Sequence, residues 1–194
     1  RRGVRLFSGG MIMNPARMQD VALRRAVMAG LKREAISKVR FQGLDYEEKQ
    51  PGSMIHMPFS EYYQDVYPTP NNDAAAASKI LEEAGYTKNG EFYEKGGKQA
   101  TFKYSVFGDD PTSKAVAQTI VQQLKDAGIN VELDARAASE FGKAMQSKDY
   151  DATASGYGLT DPDATQATQQ FYLREKPEDA GTDEINELIE KMKL

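Results

Sequence analysis

Residues 101–135, TFKYSVFGDDPTSKAVAQTIVQQLKDAGINVELDA, decide the fold. Phe102, Tyr104 and Val106 alternate with polar residues, the period of a half-buried strand that ends near Phe107. Asp110-Pro111 then has the chemistry of a helix start: a carboxylate for the free first-turn amides, and a proline whose fixed φ suits the first helical position. Val116, Ile120 and Leu124 fall on one face of that helix, with Ala117 and Val121 beside them, and Gly128 closes it. Val131 and Leu133 open a new strand almost at once. Joints this short around one helix make a βαβ unit, two parallel strands with a right-handed crossover.

Upstream, Asp20 reads as the N-cap of a helix running to Leu31, with Leu23, Ala26, Val27, Gly30 and Leu31 on one face. A second helical segment follows through Ile36 and Val39. From Phe41 to Pro70 the pattern collapses, broken by Pro51, Pro58, Pro68 and Pro70 with Phe59, Tyr62, Tyr63 and Tyr67 between them. An irregular stretch this long is expected to be functional or wrapped over a neighbour. Helix resumes at Asp73, with Ala77, Ile80, Leu81 and Ala84 spaced along one face and Gly85 at its end. Glu91-Phe92-Tyr93 and Thr101–Phe107, flanking Lys95-Gly96-Gly97-Lys98, predict a hairpin. Downstream come a short helix around Phe141–Met145, a third strand over Tyr150–Ser155, and a last helix from Thr182 or Asp183 that buries Ile185, Leu188, Ile189 and Met192. The expected class is α/β: a mixed sheet holding the βαβ unit, with flanking helices, in one domain.

Composition narrows the function. The chain has 194 residues, 40% of them hydrophobic and 28% charged, with 10 Tyr and 8 Phe, enough apolar material to build a core. A net charge of −4 argues against a nucleic-acid partner, which favours a basic stripe. No run approaches the ~20 apolar residues of a membrane-spanning helix. With no cysteine there is no thiol chemistry, disulfide or Cys-type zinc site, and redox compartment is left open. The chain opens on Arg1 with no signal-like segment after it, and is expected to be a processed or excised piece.

Few residues carry chemistry. His56, the one histidine, sits between Ile55 and Met57 with no local nucleophile or orienting carboxylate, and reads as a surface or packed residue. Gly97-Lys98 lacks the upstream glycine of a phosphate loop and reads as a hairpin turn. Acids cluster at Asp109-Asp110, Asp149 with Asp151, and Asp161 with Asp163. The last pair lacks the glycine and distal glutamate of a calcium loop, while a glycosidase pair brought together only in space stays open. No cofactor is expected. Residues 155–163, Ser-Gly-Tyr-Gly-Leu-Thr-Asp-Pro-Asp, follow the third strand at the carboxyl end, where open α/β sheets place ligands. Gly156 and Gly158 permit close backbone approach, Tyr157 offers a flat face with a polar tip, and Asp161 offers an anion. Those are the parts of a small-ligand cleft, and equally of a Gly-rich turn ending in a helix cap.

Asp20-Val-Ala-Leu-Arg24-Arg25-Ala26-Val27, followed by Lys32-Arg33-Glu34-Ala35-Ile36, resembles a signature of the family 5 extracellular solute-binding proteins, the oligopeptide- and dipeptide-binding receptors of ABC importers. In the same order, Ala75–Tyr86, Gly90–Lys98, Gln123–Glu132, and Asp149-Tyr150-Asp151 before Gly156-Tyr157 resemble that family's C-terminal lobe. The resemblance implies a periplasmic-binding-protein-like fold in which residues 1–194, irregular segment 41–72 included, form one ligand-binding lobe, hinged to an N-terminal lobe that closes on the solute. It implies no catalysis. Its implied partners are a short peptide or other small solute, the N-terminal lobe and the permease membrane subunits, outside the cytoplasm and lipid-anchored through a region upstream. Tyr157 stands where the family has a cleft aromatic, and Thr160 and Asp161 fall near its ammonium-holding aspartate. Ala154 stands where some oligopeptide binders have an arginine facing the ligand carboxylate. The same scaffold also serves binders of sugars, nickel complexes and haem-like ligands. A different reading makes the chain an adhesion or signalling module that uses the Pro- and Tyr-rich segment 51–70 as its contact surface.

Overall fold

Residues 7–46, 50–53, 55–67, 73–158, 165–177, 179 and 181–193 are described by a computed structural model. The first described element is strand β1 (Phe7–Met13), which nothing in the local sequence announces. Helix α1 (Val21–Gly30) starts where the Asp20 carboxylate accepts the amides of Ala22 and Leu23, at 2.8 and 3.2 Å. Helix α2 (Arg33–Arg40) follows, and α3 (Ala74–Glu83) starts where Asp73 accepts the Ala76 amide at 2.7 Å. Three short strands, β2 (Thr87–Asn89), β3 (Phe92–Lys95) and β4 (Lys98–Gln99), lead into β5 (Thr101–Phe107). Helix α4 (Pro111–Asp126) is capped by Asp110, with proline in its first turn as the sequence predicts, and strand β6 (Asn130–Arg136) completes the crossover. A 3₁₀ turn at Ala138–Glu140, α5 (Phe141–Ser147), β7 (Ala152–Gly158), α6 (Thr165–Tyr172) and α7 (Asp183–Met192) finish the chain.

The main sheet has the order β1-β7-β5-β6. β5 and β6 are parallel from Thr101↔Asn130 to Phe107↔Arg136, so the predicted βαβ unit is present. β1 runs antiparallel to β7, which makes the sheet mixed. On one face Phe102, Tyr104, Val131 and Ala152 pack against Leu23, Ala26 and Val27 of α1, Ala77 and Leu81 of α3, and Ala117, Ile120 and Leu124 of α4. Gly128, at φ +76°, turns the chain from α4 into β6, and a Cβ there would meet the Tyr93 ring at 2.6 Å. Glycine is therefore required both for its backbone angle and for the close approach.

Three expectations need correction. The hairpin partner of β3 is β4, with Lys95 opposite Lys98, while Thr101–Phe107 belongs to the main sheet. Ala100 makes the break: it is buried, its amide donates to the Tyr93 carbonyl at 2.7 Å, and its carbonyl accepts from the Asn130 amide at 2.9 Å. The third strand covers Ala152–Gly158 rather than Tyr150–Ser155, because β1 supplies a ladder that carries Gly156 and Gly158 as extended backbone. In α7 only Ile189 is fully buried; Leu188 and Met192 are 58% and 38% exposed, since the helix shows the core a narrower face than its apolar residues suggest.

Among the described residues of segment 41–72 there is neither helix nor strand. Arg33 ties this segment down by donating to the Pro51 carbonyl at 2.7 Å and lying 3.6 Å over the Tyr67 ring. The loop closes on itself where the Val66 amide donates to the Gly52 carbonyl at 3.0 Å.

The α6–α7 pair is fastened to the α5–β7 turn by an ion pair between Lys148 and Asp179. Asp179 also accepts the amides of Lys176 and Glu175, at 2.9 and 3.0 Å. The Lys148 ammonium, helped by those amides, holds the Asp179 carboxyl down at about 2. A carboxyl depressed in the folded state stabilises it fully above its ordinary value of 3.8, and that increment is lost as pH falls toward 2. Asp179→Asn should therefore be less stable than the parent at pH 5 in urea unfolding, with the gap narrowing steadily between pH 4 and pH 2; a constant gap would mean the carboxylate is not the source.

Candidate functional site

The carboxyl ends of β5, β6 and β7 lie together at one end of the sheet, the position where open α/β sheets bind ligands. β7 pairs with β5 only at Tyr104↔Ala152 and Ser105↔Thr153. Both strands then continue: β5 stays on β6 as far as Phe107↔Arg136, and β7 stays on β1 as far as Gly158↔Phe7. The sheet thus forks after Thr153. Along β7 beyond the fork, every second residue turns its N–H and C=O away from β1, toward the side of β5, where no strand pairs with it among the described residues.

Of the sequence-predicted site residues, Gly156, Tyr157 and Gly158 lie on this outer part of β7, opposite Gly9, Ser8 and Phe7. They are strand positions, not the loop positions the sequence suggests. Gly156 facing Gly9 puts two residues without side chains across the ladder, so backbone there is open to close approach. Thr160 and Asp161 lie outside the described residues.

Sequence reading missed the aromatic and charged groups around the ends of β5 and β6. Phe107 and Phe141 meet edge to face, with ring centroids 5.3 Å apart, and Phe141 is 40% exposed. The Arg136 guanidinium sits 5.8 Å from the Phe107 ring. It donates through Nε to Asp134 Oδ2 at 2.6 Å, and through Nη1 to the Asp149 carbonyl and Oδ2 at 2.9 and 3.0 Å. Arg17 bridges Asp149 and Asp151 at 2.6 and 2.8 Å, and Asp151 accepts the Lys103 amide at 2.9 Å. Hydrogen bonds from Arg136, then Arg17, hold the Asp149 carboxyl below its usual range, and the bond to Asp134 raises Arg136. Asp149 and Asp151, just before β7, are thus occupied in tying the turn after β1, the start of β5 and the end of β6 together. The signal that could have found this lattice is the arginine at the end of β6, opposite two acids spaced two apart.

His56 packs its ring 5.8 Å from that of Tyr62, and its amide donates to the Ser53 hydroxyl. Among the described residues no group of three His, Asp or Glu side chains is placed to hold a metal ion, and no helix is long and apolar enough to cross a membrane.

Residues 2–178 match the family model described as "Bacterial extracellular solute-binding proteins, family 5 Middle". The oligopeptide-binding protein OppA of Mycobacterium tuberculosis is 27% identical over 124 residues, 64% of this chain and 21% of the relative. The fold is similar to that of the oligopeptide-binding protein AppA of Bacillus subtilis, solved in complex with a nonapeptide. There the TM-score is 0.75 and the identity 22%, over 97% of this chain and 39% of that one. It is also similar to a mannohexaose-bound periplasmic oligopeptide-binding protein of Thermotoga maritima, with a TM-score of 0.78 and 17% identity over the same shares, 97% and 39%. The chain therefore spans about a fifth of the curated relatives it matches and two fifths of these solved structures.

Proposed function

Because this chain belongs to the family 5 bacterial extracellular solute-binding proteins, we propose that it forms one wall of a receptor cleft that captures short peptides and hands them to an ABC permease. The observation that carries this reading is the fork between β5 and β7. An extended peptide laid along the free side of Ala154–Gly158 would complete the ladder that β5 leaves unfinished. Main-chain recognition of this kind accepts many sequences, and the exposed Phe141 edge offers an apolar surface to ligand side chains. In this reading Tyr157, with Gly156 and Gly158, lines the cleft, while Thr160 and Asp161 receive the peptide ammonium. A carboxylate shielded from water gains from such a charge-assisted bond. The protein binds and releases its solute without a covalent step. It works outside the cytoplasm, lipid-anchored through a region upstream, and its second wall is the N-terminal lobe.

Native mass spectrometry of the full-length natural protein, purified gently from its own host, tests the ligand class. A ladder of masses matching short peptides is the expected result, and a single non-peptide mass would overturn it. Mannohexaose bound to the Thermotoga maritima protein supports a second reading, an oligosaccharide lying on the same strand edge and stacking on Phe141. Tyr157→Ala and Asp161→Ala should each weaken peptide binding by about tenfold or more, the scale of a hydrogen bond to a charged group, with little change in melting temperature. Unchanged affinity in both variants would remove these residues from the site.

A further inference from the structure

We propose that Thr153 is a positioning residue for the bound solute: its hydroxyl, anchored on the Ser105 carbonyl, fixes where β7 parts from β5. The inference rests on the solute-binding reading above and adds the residue that sets the site's geometry. Thr153 and Ser105 are each 1% exposed. A buried hydroxyl costs stability unless it is bonded, and valine would fill the same space in a strand without that demand. The presence of hydroxyls at this level therefore needs a reason.

Both hydroxyls are used, and in series. Thr153 Oγ1 donates to the Ser105 carbonyl at 2.8 Å, and Ser105 Oγ donates to Asp134 Oδ2 at 2.8 Å. Arg136 Nε donates to the same carboxylate oxygen at 2.6 Å, and Arg136 continues to Asp149. One chain of polar contacts thus crosses from β7 through β5 to β6 at the last level where β5 and β7 pair. The register partners one level earlier, Tyr104 and Ala152, belong to the apolar core. Beyond Thr153 the two strands continue unpaired. The crotch of the fork is tied to the charged lattice on the same face as Asp134, and the direction in which Ala154–Gly158 leaves it is set by that tie. A ligand backbone pairing with this edge is sensitive to small errors in strand direction, because several hydrogen bonds must align together.

The test uses the full-length natural protein with short unmodified peptides and mannohexaose as probes, at a temperature well below melting. Thr153→Val keeps shape and burial and removes the hydroxyl; Thr153→Ser keeps the hydroxyl. For the probe that the parent binds, Thr153→Val should raise Kd by about three- to tenfold, chiefly through faster release, and Thr153→Ser should restore binding to near the parent. Hydrogen exchange should show ligand-induced protection at Ala154–Gly158 that is weakened in Thr153→Val. If Thr153→Val lowers only the melting temperature and binds with the parent's Kd, the positioning role is wrong and the solute-binding reading stands. The positioning role is equally wrong if Thr153→Ser binds as weakly as Thr153→Val. A parent protein that binds neither probe overturns both. Should Thr153→Val fail to fold, Thr153→Ala removes the same hydroxyl and is expected to raise Kd in the same direction; a parent-like Kd there overturns the inference.

Discussion

Truncating Leu124 to alanine is expected to cost about 2–5 kcal/mol, because a fully buried leucine loses its transfer free energy and leaves a cavity that its neighbours fill only in part. Leu124 lies where α4, α1 and α3 converge on the sheet: Gly30 of α1 approaches so closely that a Cβ there would stand 3.1 Å from Leu124 Cδ2 and 3.4 Å from the Ala77 Cβ. Side chains packed this closely against a glycine backbone leave little slack for collapse, which places the site toward the upper end of that range. For a chain of this size the melting temperature should fall by roughly 5–15 °C. Thermal unfolding followed by circular dichroism checks it. A loss below about 1 kcal/mol would mean that the α1–α4 contact is looser than the geometry shows.

Gly181→Ala is expected to detach the α6–α7 pair. The added Cβ would fall 1.8 Å from the Tyr172 carbonyl oxygen and 2.9 Å from its carbon, main-chain atoms that no rotamer can move aside. The backbone just after Tyr172 has little freedom to yield. The Asn186 side chain accepts the Arg174 amide at 2.9 Å and donates to the Arg174 carbonyl at 2.7 Å, and Asp179 holds the amides just after it. Overpacking commonly costs about 1–3 kcal/mol, and a clash confined to backbone belongs at or above that upper value. The damage should be regional. Faster amide exchange is expected across α6 and α7, with β5, β6 and α4 unchanged. Uniform acceleration through the βαβ unit would show instead that α6–α7 and the core unfold as one.

What the sequence made legible follows from how local each signal is. Asp110-Pro111, the spacing of Val116, Ile120 and Leu124, and Gly128 are complete instructions within 20 or so residues, and α4 with its two parallel strands is present as read. β1 is not readable because Phe-Ser-Gly-Gly-Met-Ile-Met has little intrinsic strand preference; its conformation comes from a partner distant in sequence. That missing partner is also why Gly156-Tyr157-Gly158 looks like a turn: glycines read locally mean a bend, and only the ladder with β1 keeps them extended. α6 is hidden by its mostly polar composition, Thr-Gln-Ala-Thr-Gln-Gln-Phe-Tyr. Of the candidate site, the glycine-flanked tyrosine is visible in the sequence. The fork is not, because it depends on where two registers stop agreeing. Phe141 shows as a helix start, and only the end of β5 beside it gives it a place in the site.

The pairing of β1 with β7 carries a consequence for how the molecule is made. Its partners stand from 139 positions apart, at Met13↔Ala152, to 151 apart, at Phe7↔Gly158. Once made, β1 must therefore wait for the chain to be extended as far as β7 before it finds its neighbour. Contacts that span so much sequence are slow to form, whereas β5, α4 and β6 can assemble among themselves in the meantime. The wall that carries Gly156, Tyr157 and Gly158 is accordingly the last part of the sheet to close. During that interval β1 is an uncharged ribbon without a partner, open to capture by a chaperone or by a second nascent chain.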